Sequence, residues 1–234
     1  MPAWPGLLFG ALLGLLPLVA SADQIVSAAY AGPTARYQHG VFGETEEWGA
    51  LAFELSSGQR MILRLPETRV FEDIAPRLID VDGDGGAKMI VVETDIALGA
   101  RLAIYDEAGL VAETPFFGQT HRWLAPIGGA DFDGDGLMEL AYIDRPHLAR
   151  LLRVWRFENG ALIEVAQAEG LTNHRFGDAD ISGGLRDCGE GPEMITADTR
   201  WSRTIASRLV GDKIESRVLS EDVDFAAALA CQLP

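Results

Sequence analysis

Two acidic loops carry the clearest chemistry in this chain of 234 residues. Asp80-Val81-Asp82-Gly83-Asp84-Gly85 is followed 51 residues later by Asp131-Phe132-Asp133-Gly134-Asp135-Gly136. A hard cation such as Ca²⁺ takes about six to eight oxygens at roughly 2.3–2.6 Å, from a loop tight enough to aim them inward. Alternate Asp residues supply the carboxylates, and the interleaved Gly residues permit sharp backbone turns. Gly86 and Leu137 follow and offer their carbonyls. Two residues further on, the two loops part company. In the second loop that residue is Glu139, so Asp131, Asp133, Asp135, the Leu137 carbonyl and Glu139 make a complete oxygen set for calcium. In the first it is Lys88, whose ammonium cannot coordinate a cation. Either Lys88 points away and Asp80, Asp82, Asp84 and Gly86 keep a weaker calcium site, or Lys88 replaces the metal with a salt bridge. An EF-hand is excluded, because the place of its closing Glu is taken by Val91 or Tyr142 and the flanking runs are strand-like.

The loops belong to a longer rhythm. A decayed copy reads Ala179-Asp180-Ile181-Ser182-Gly183-Gly184, and before Glu193 it gains an insertion carrying Cys188. Arg69, Arg122 and Arg175 recur at intervals of 53, each followed by an aromatic within two residues, and Arg36-Tyr37 is a displaced fourth member. After each acidic loop an apolar run (Met89–Val92, Leu140–Ile143, Met194–Ala197) ends in Glu93, Asp144 or Asp198. Each unit then closes with two apolar runs around an Asp, Asn or Gly turn, at 106–109, 158–160 and 211–212, with an earlier example around 56–58. Such runs are strands joined by hairpins. No helical periodicity of useful length occurs between Asp23 and Ser220; only 225–230 reads as helix.

Each unit is therefore strand, acidic loop, strand and hairpin. Radial repetition of such four-stranded blades gives a β-propeller. About four blades are expected, over residues 23–68, 69–120, 121–171 and 172–220, with a tail at 221–234 that carries the short helix. An open stack or a β-sandwich of the same hairpins is the alternative. The segments Asp80–Val91 and Asp131–Ala141 resemble the FG-GAP/VCBS repeats of integrin α-subunit calcium blades and of bacterial secreted proteins. What the resemblance implies is a calcium-stabilised propeller that mediates contacts, with a protein or glycan partner.

Residues Leu7–Val19 are an apolar stretch followed by Ala20-Ser21-Ala22, a small-x-small cleavage signature. Residues 1–22 are expected to be a signal peptide, which leaves an exported chain, periplasmic or extracellular, with no stable membrane insertion. The two cysteines, Cys188 and Cys231, then suggest one disulfide. With 35 acidic against 19 basic residues the net charge is −16, which disfavours nucleic acid and anionic lipid as partners. The Arg36, Arg69, Arg122 and Arg175 series offers either an anion- or glycan-binding mouth or ion pairs with Glu93, Asp144 and Asp198; ion pairing is the simpler reading. Trp48, Trp155 and Trp201 are read as packed between blades rather than stacked on sugars. His39, His121, His147 and His174 lack zinc-ligand spacing and read as loop or surface residues. No nucleophile elbow, His-Glu-x-x-His or phosphate loop occurs. The expectation is a non-enzymatic binding or scaffolding module. A glycan-binding lectin is the alternative, and a hydrolase the less favoured one, to be marked by two desolvated acids away from the Asp loops.

Overall fold

The computed structural model describes residues 23–43 and 46–233 together with Met1. Beyond Met1, the leader expected over residues 1–22 lies outside the described residues. The fold is nearly all β, as expected. One sheet contains β1 (Ile25–Thr34), β2 (Glu47–Leu55), β3 (Arg60–Arg64), β4 (Arg69–Phe71), β5 (Arg77–Ile79), β6 (Lys88–Asp95), β7 (Gly99–Tyr105) and β8 (Leu110–Glu113). Its β1–β3 portion joins the rest at the Trp48–Phe71 pair. A second sheet is formed by β9 (Leu124–Ala130), β10 (Glu139–Asp144), β11 (Leu151–Glu158) and β12 (Ala161–Glu169). The third holds β13 (Leu171–Thr172), β14 (Gly184–Asp187), β15 (Pro192–Asp198), β16 (Thr204–Val210) and β17 (Lys213–Ser220). A five-residue helix, α1 (Phe225–Leu229), follows, capped by the Asp224 carboxylate, which accepts the Ala227 N–H.

All pairings are antiparallel, and the hairpins lie where the turn residues placed them. Between β11 and β12, Asn159 and Gly160 both take left-handed φ (52° and 75°), which a two-residue hairpin turn requires. The apolar runs become β6, β10 and β15, whose central residues are buried without alternation. That pattern is what strands covered on both faces show.

Register fixes which residues are equivalent. Lys88 opens β6 opposite Ile79, Glu139 opens β10 opposite Ala130, and Glu193 lies in β15 opposite Arg186. The residue leaving the preceding strand is then Asp80, Asp131 or Asp187. Asp187, not Asp180, is the third loop's aspartate, and Asp180 lies exposed in a separate segment. The sequence copy misled because residues 173–183 are inserted between β13 and β14, which together do the work of β9. The same displacement breaks the Arg series. Phe71, Leu124 and Leu171 face Glu93, Asp144 and Asp198, so Arg69 and Arg122 correspond to each other and Arg175 does not belong.

Side chains in these interruptions tie the sheets together. Trp123, 2% exposed, donates its indole N–H to the Glu72 carbonyl at 2.7 Å. Asn173 donates to the Ala125 carbonyl at 3.2 Å, and the Gly177 N–H reaches the Val41 carbonyl at 2.8 Å. Loops of the first and third sheets thus meet directly.

Candidate metal loops

Asp131 shapes the second loop. Its Oδ1 accepts the N–H of Gly134 (2.7 Å) and Asp135 (3.1 Å), and Oδ2 accepts that of Gly136 (3.0 Å). Gly134 and Gly136 turn the chain with φ of 78° and 88°, a region closed to most side chains. Asp135 accepts the Leu137 N–H at 2.8 Å. Glu139, fully buried, accepts the Phe132 N–H at 2.8 Å. Carboxylate oxygens of Asp131, Asp133 and Glu139 lie within 4.8 Å of one another, while Asp135 stands outside this trio.

A residue that the sequence reading did not single out completes the loop. Arg156 on β11 faces Glu139 across the ladder. Its Nε lies 2.6 Å from Glu139 Oε1, and its terminal nitrogens lie 2.6 Å from Asp133 and 3.0 Å from Asp135. Burial pushes the Glu139 carboxyl up, against the hydrogen bonds from Arg156 and Phe132. The hydrogen bond to Glu139 holds Arg156 firmly protonated. The signal for Arg156 was its own recurrence: Arg208 faces Glu193 in the next sheet, and its Nε lies 2.7 Å from that carboxylate.

In the first loop Asp80 accepts the N–H of Gly83 (2.8 Å) and Gly85 (3.0 Å), repeating the Asp131 geometry. Of the two outcomes open to Lys88, the inward one occurs. Its Nζ lies 3.1 Å from Asp82 and 3.2 Å from Asp84, and it donates to the Gly86 carbonyl at 3.3 Å. The Gly86 N–H, and then Lys88, hold the Asp84 carboxyl below its ordinary value. Oxygens of Asp80, Asp82 and Asp84 still lie within 4.8 Å of one another.

The third loop keeps the turn and changes the clasp. Asp187 accepts the N–H of Gly189 (2.8 Å) and Gly191 (3.1 Å). Cys188, next in the chain, is bonded to Cys231. Glu193 is gripped by Arg186, Arg208 and Arg217 at 2.8, 2.7 and 3.1 Å. Burial opposes its ionisation, but these guanidiniums outweigh it and keep the carboxyl below the ordinary value.

The donor sets of the first two loops fit a hard divalent cation. They are all oxygen, and the protein's own cations leave them negative. Four carboxylates and Arg156 give −4 + 1 = −3 in the second loop. Three carboxylates and Lys88 give −3 + 1 = −2 in the first.

The other singled-out residues serve packing or gather elsewhere. Arg69 pairs with Glu93 at 2.9 Å, and Arg36 reaches Glu67 at 3.3 Å and the Arg69 carbonyl. Arg175 lies over the Trp201 ring at 4.1 Å, whereas Arg122 donates to the His121 carbonyl at 3.1 Å. Asp144 is served by Arg145 and Arg153, and Asp198 by Ser202, so the expected ion pairing holds for Arg69, on Glu93, and for Arg36, on Glu67, but not on Asp144 or Asp198. Trp155 donates to the Tyr142 hydroxyl at 3.1 Å, and Trp48 is half-buried. The four histidines are not scattered. His39, His121 and His147 line one cavity with Trp123 and Phe176, His39 and His121 lying 5.0 Å apart by ring centroid, and the buried His174 packs 5.2 Å from His147. Spacing along the chain could not reveal this, because the four come from loops of all three sheets.

Fold and loops together define a β-rich repeat protein with two acidic clusters that could bind a metal. No protein-family model matches the chain, and no curated protein matches it. Among solved structures it is similar to a calcium-binding protein, regucalcin, from Agrobacterium tumefaciens strain C58, at 17% identity and a TM-score of 0.33. That match covers 82% of this chain and 59% of regucalcin, and so distant a likeness settles neither fold nor chemistry here. No helix among the described residues is long and apolar enough to cross a membrane.

Proposed function

We propose that the chain is an exported, calcium-stabilised β-propeller of the FG-GAP/VCBS type, with about four blades, that acts as a protein-binding or scaffolding module. The observation that carries the reading is the repeated loop. Asp80 and Asp131 each leave one strand, fold the following glycines onto their carboxylate, and bring two further acids within 4.8 Å. Calcium bound there would neutralise carboxylates that otherwise repel one another and would hold the loop in its folded shape. Asp131, Asp133, Asp135, Glu139 and the Leu137 carbonyl are the ligands at the second loop; at the first, Asp80, Asp82, Asp84 and the Gly86 carbonyl form a weaker site that calcium occupies only by displacing Lys88. The Cys188–Cys231 disulfide supports an oxidising compartment. A net charge of −16 directs the choice of partner toward neutral or cationic surfaces.

A ligand that binds only the folded state raises its stability by mass action. The melting temperature is therefore expected to rise in calcium and fall in EDTA, and equal melting in both would sink the reading. Pull-down from periplasm or medium, with and without calcium, then reports whether a partner depends on the loaded loops.

A further inference from the structure

We infer that the cavity ringed by the histidines is a hydrolytic site for small aromatic esters, in which His39, oriented by Glu72, is the general base. The cavity measures about 210 Å³ and is lined by His39, His121, Trp123, Arg145, His147 and Phe176. Glu72 is fully buried behind it. One carboxylate oxygen lies 2.5 Å from His39 Nδ1, and the other accepts the Thr94 hydroxyl at 2.8 Å. An ionised carboxylate can only accept, so His39 donates from Nδ1, and in the neutral ring this tautomer leaves the lone pair on Nε2. The Glu72 backbone is pinned as well, by its N–H to the Val92 carbonyl at 3.0 Å and by the Trp123 indole on its own carbonyl. Glu47 is the second desolvated acid here. Burial, and then the charge of Glu72, push it up to about 8.

The remaining walls suit the same chemistry. His174 donates from Nε2 to the Asp178 carbonyl at 3.0 Å, so its Nδ1 accepts from His147 Nε2, also at 3.0 Å. Both rings are then neutral, and burial holds His147 down to about 4. The Trp123 ring stacks on His147 at 6.1 Å, and Phe176 meets His147 edge-on at 5.5 Å, which makes an aromatic slot. His121 and Arg145, both in the lining, have left-handed φ of 54° and 45°. Such strain persists only where the surrounding structure enforces it, and it concentrates at functional sites. Arg145 uses Nε and Nη2 on Asp144 and keeps Nη1 outside that pair.

In the step, His39 Nε2 takes a proton from water as the water oxygen bonds to the ester carbonyl carbon. The carbonyl π pair moves to its oxygen, in a cavity that His121 and Arg145 also line. Collapse of the oxyanion breaks the bond to the alkoxy oxygen, which takes the proton back from His39. The balance is ester plus water to acid plus alcohol, with no co-reactant. Positioned general-base catalysis contributes about 10²–10⁴-fold.

Phenyl acetate turnover by the purified mature protein tests the assignment. Saturable hydrolysis is expected, with kcat/KM reduced about 100-fold or more in His39→Gln. Glu72→Gln should lower kcat by roughly 10-fold or more with KM unchanged, since Glu72 positions His39 and does not touch the substrate. Phe176 is 62% exposed, so Phe176→Ala folds normally and should raise KM several-fold with little change in kcat. Absence of saturable turnover, a His39→Gln variant as active as the parent, or an unaltered KM in Phe176→Ala would each overturn the proposal. Circular dichroism confirms that each variant is folded.

Discussion

Arg156 stands where a bound cation would be, among Asp133, Asp135 and Glu139, and this sets what single substitutions should do. Without metal, Arg156→Gln leaves the buried Glu139 without its charged partner, at a cost of about 2 kcal/mol. With calcium, the same change removes one competing positive charge and should tighten binding at this loop. A melting shift in EDTA, together with calorimetric titration, reads both effects, and an unchanged apo melting temperature would contradict the role given to the guanidinium. Glu139→Gln should weaken calcium binding, whereas Lys88→Ala removes an inward-facing ammonium and should not; titration of the two variants decides. Glu47 gives a pH prediction with a defined sign. Its folded value of about 8 lies above the ordinary value of 4.5, so the folded state holds the extra proton between them. Stability from this group is therefore lost as pH rises through that window. Glu47→Gln, permanently neutral, should melt higher than the parent at pH 8 and nearly equally at pH 5. A gap that widens toward acid would refute this.

At the scale of elements, the interrupted inner strands matter most. β4 and β5 are separated by residues 72–76, β9 slips in register near Pro126, and β13 and β14 are separated by residues 173–183. These breaks carry Glu72 and Asn173, which make contacts between sheets, and Phe176, which lines the histidine cavity. Hairpin positions could be read from Asn159-Gly160 and Gly211-Asp212, because turn chemistry is local. β1 gave no comparable signal and forms by pairing with β2. Gly99, at the start of β7, has φ of 80°, and a Cβ there would meet the Gln119 carbonyl oxygen at 2.3 Å. Gly99→Ala should therefore lose about 2 kcal/mol or more in denaturant melts, from left-handed strain plus the clash. The disulfide closes a separation of 43 residues and should contribute about 4 kcal/mol in the chain-entropy treatment. Reduction is expected to lower the melting temperature and to free α1, which Arg186 also holds through the Ala228 carbonyl at 3.0 Å.

For the whole molecule, the net charge of −16 is partly organised. Two bound calcium ions would bring it to −16 + 4 = −12, and Arg156, Lys88 and the Arg cluster on Glu193 already neutralise loop acids from within. The heaviest acidity thus sits at one repeated position of the sheets, while the histidines collect at another. The sequence by itself determined the all-β class, the hairpins, the Asp80 and Asp131 loops and the Cys188–Cys231 pair, because turn preferences, apolar runs and cysteine count act over short stretches or need no register. Only the tertiary structure decided that Asp187 is the third loop's aspartate, that Arg156 faces Glu139, and that His39, His121 and His147 share one cavity with His174 packed against His147. Those facts depend on strand register and on how loops of different sheets meet. Both are set by packing among residues that lie far apart in the chain.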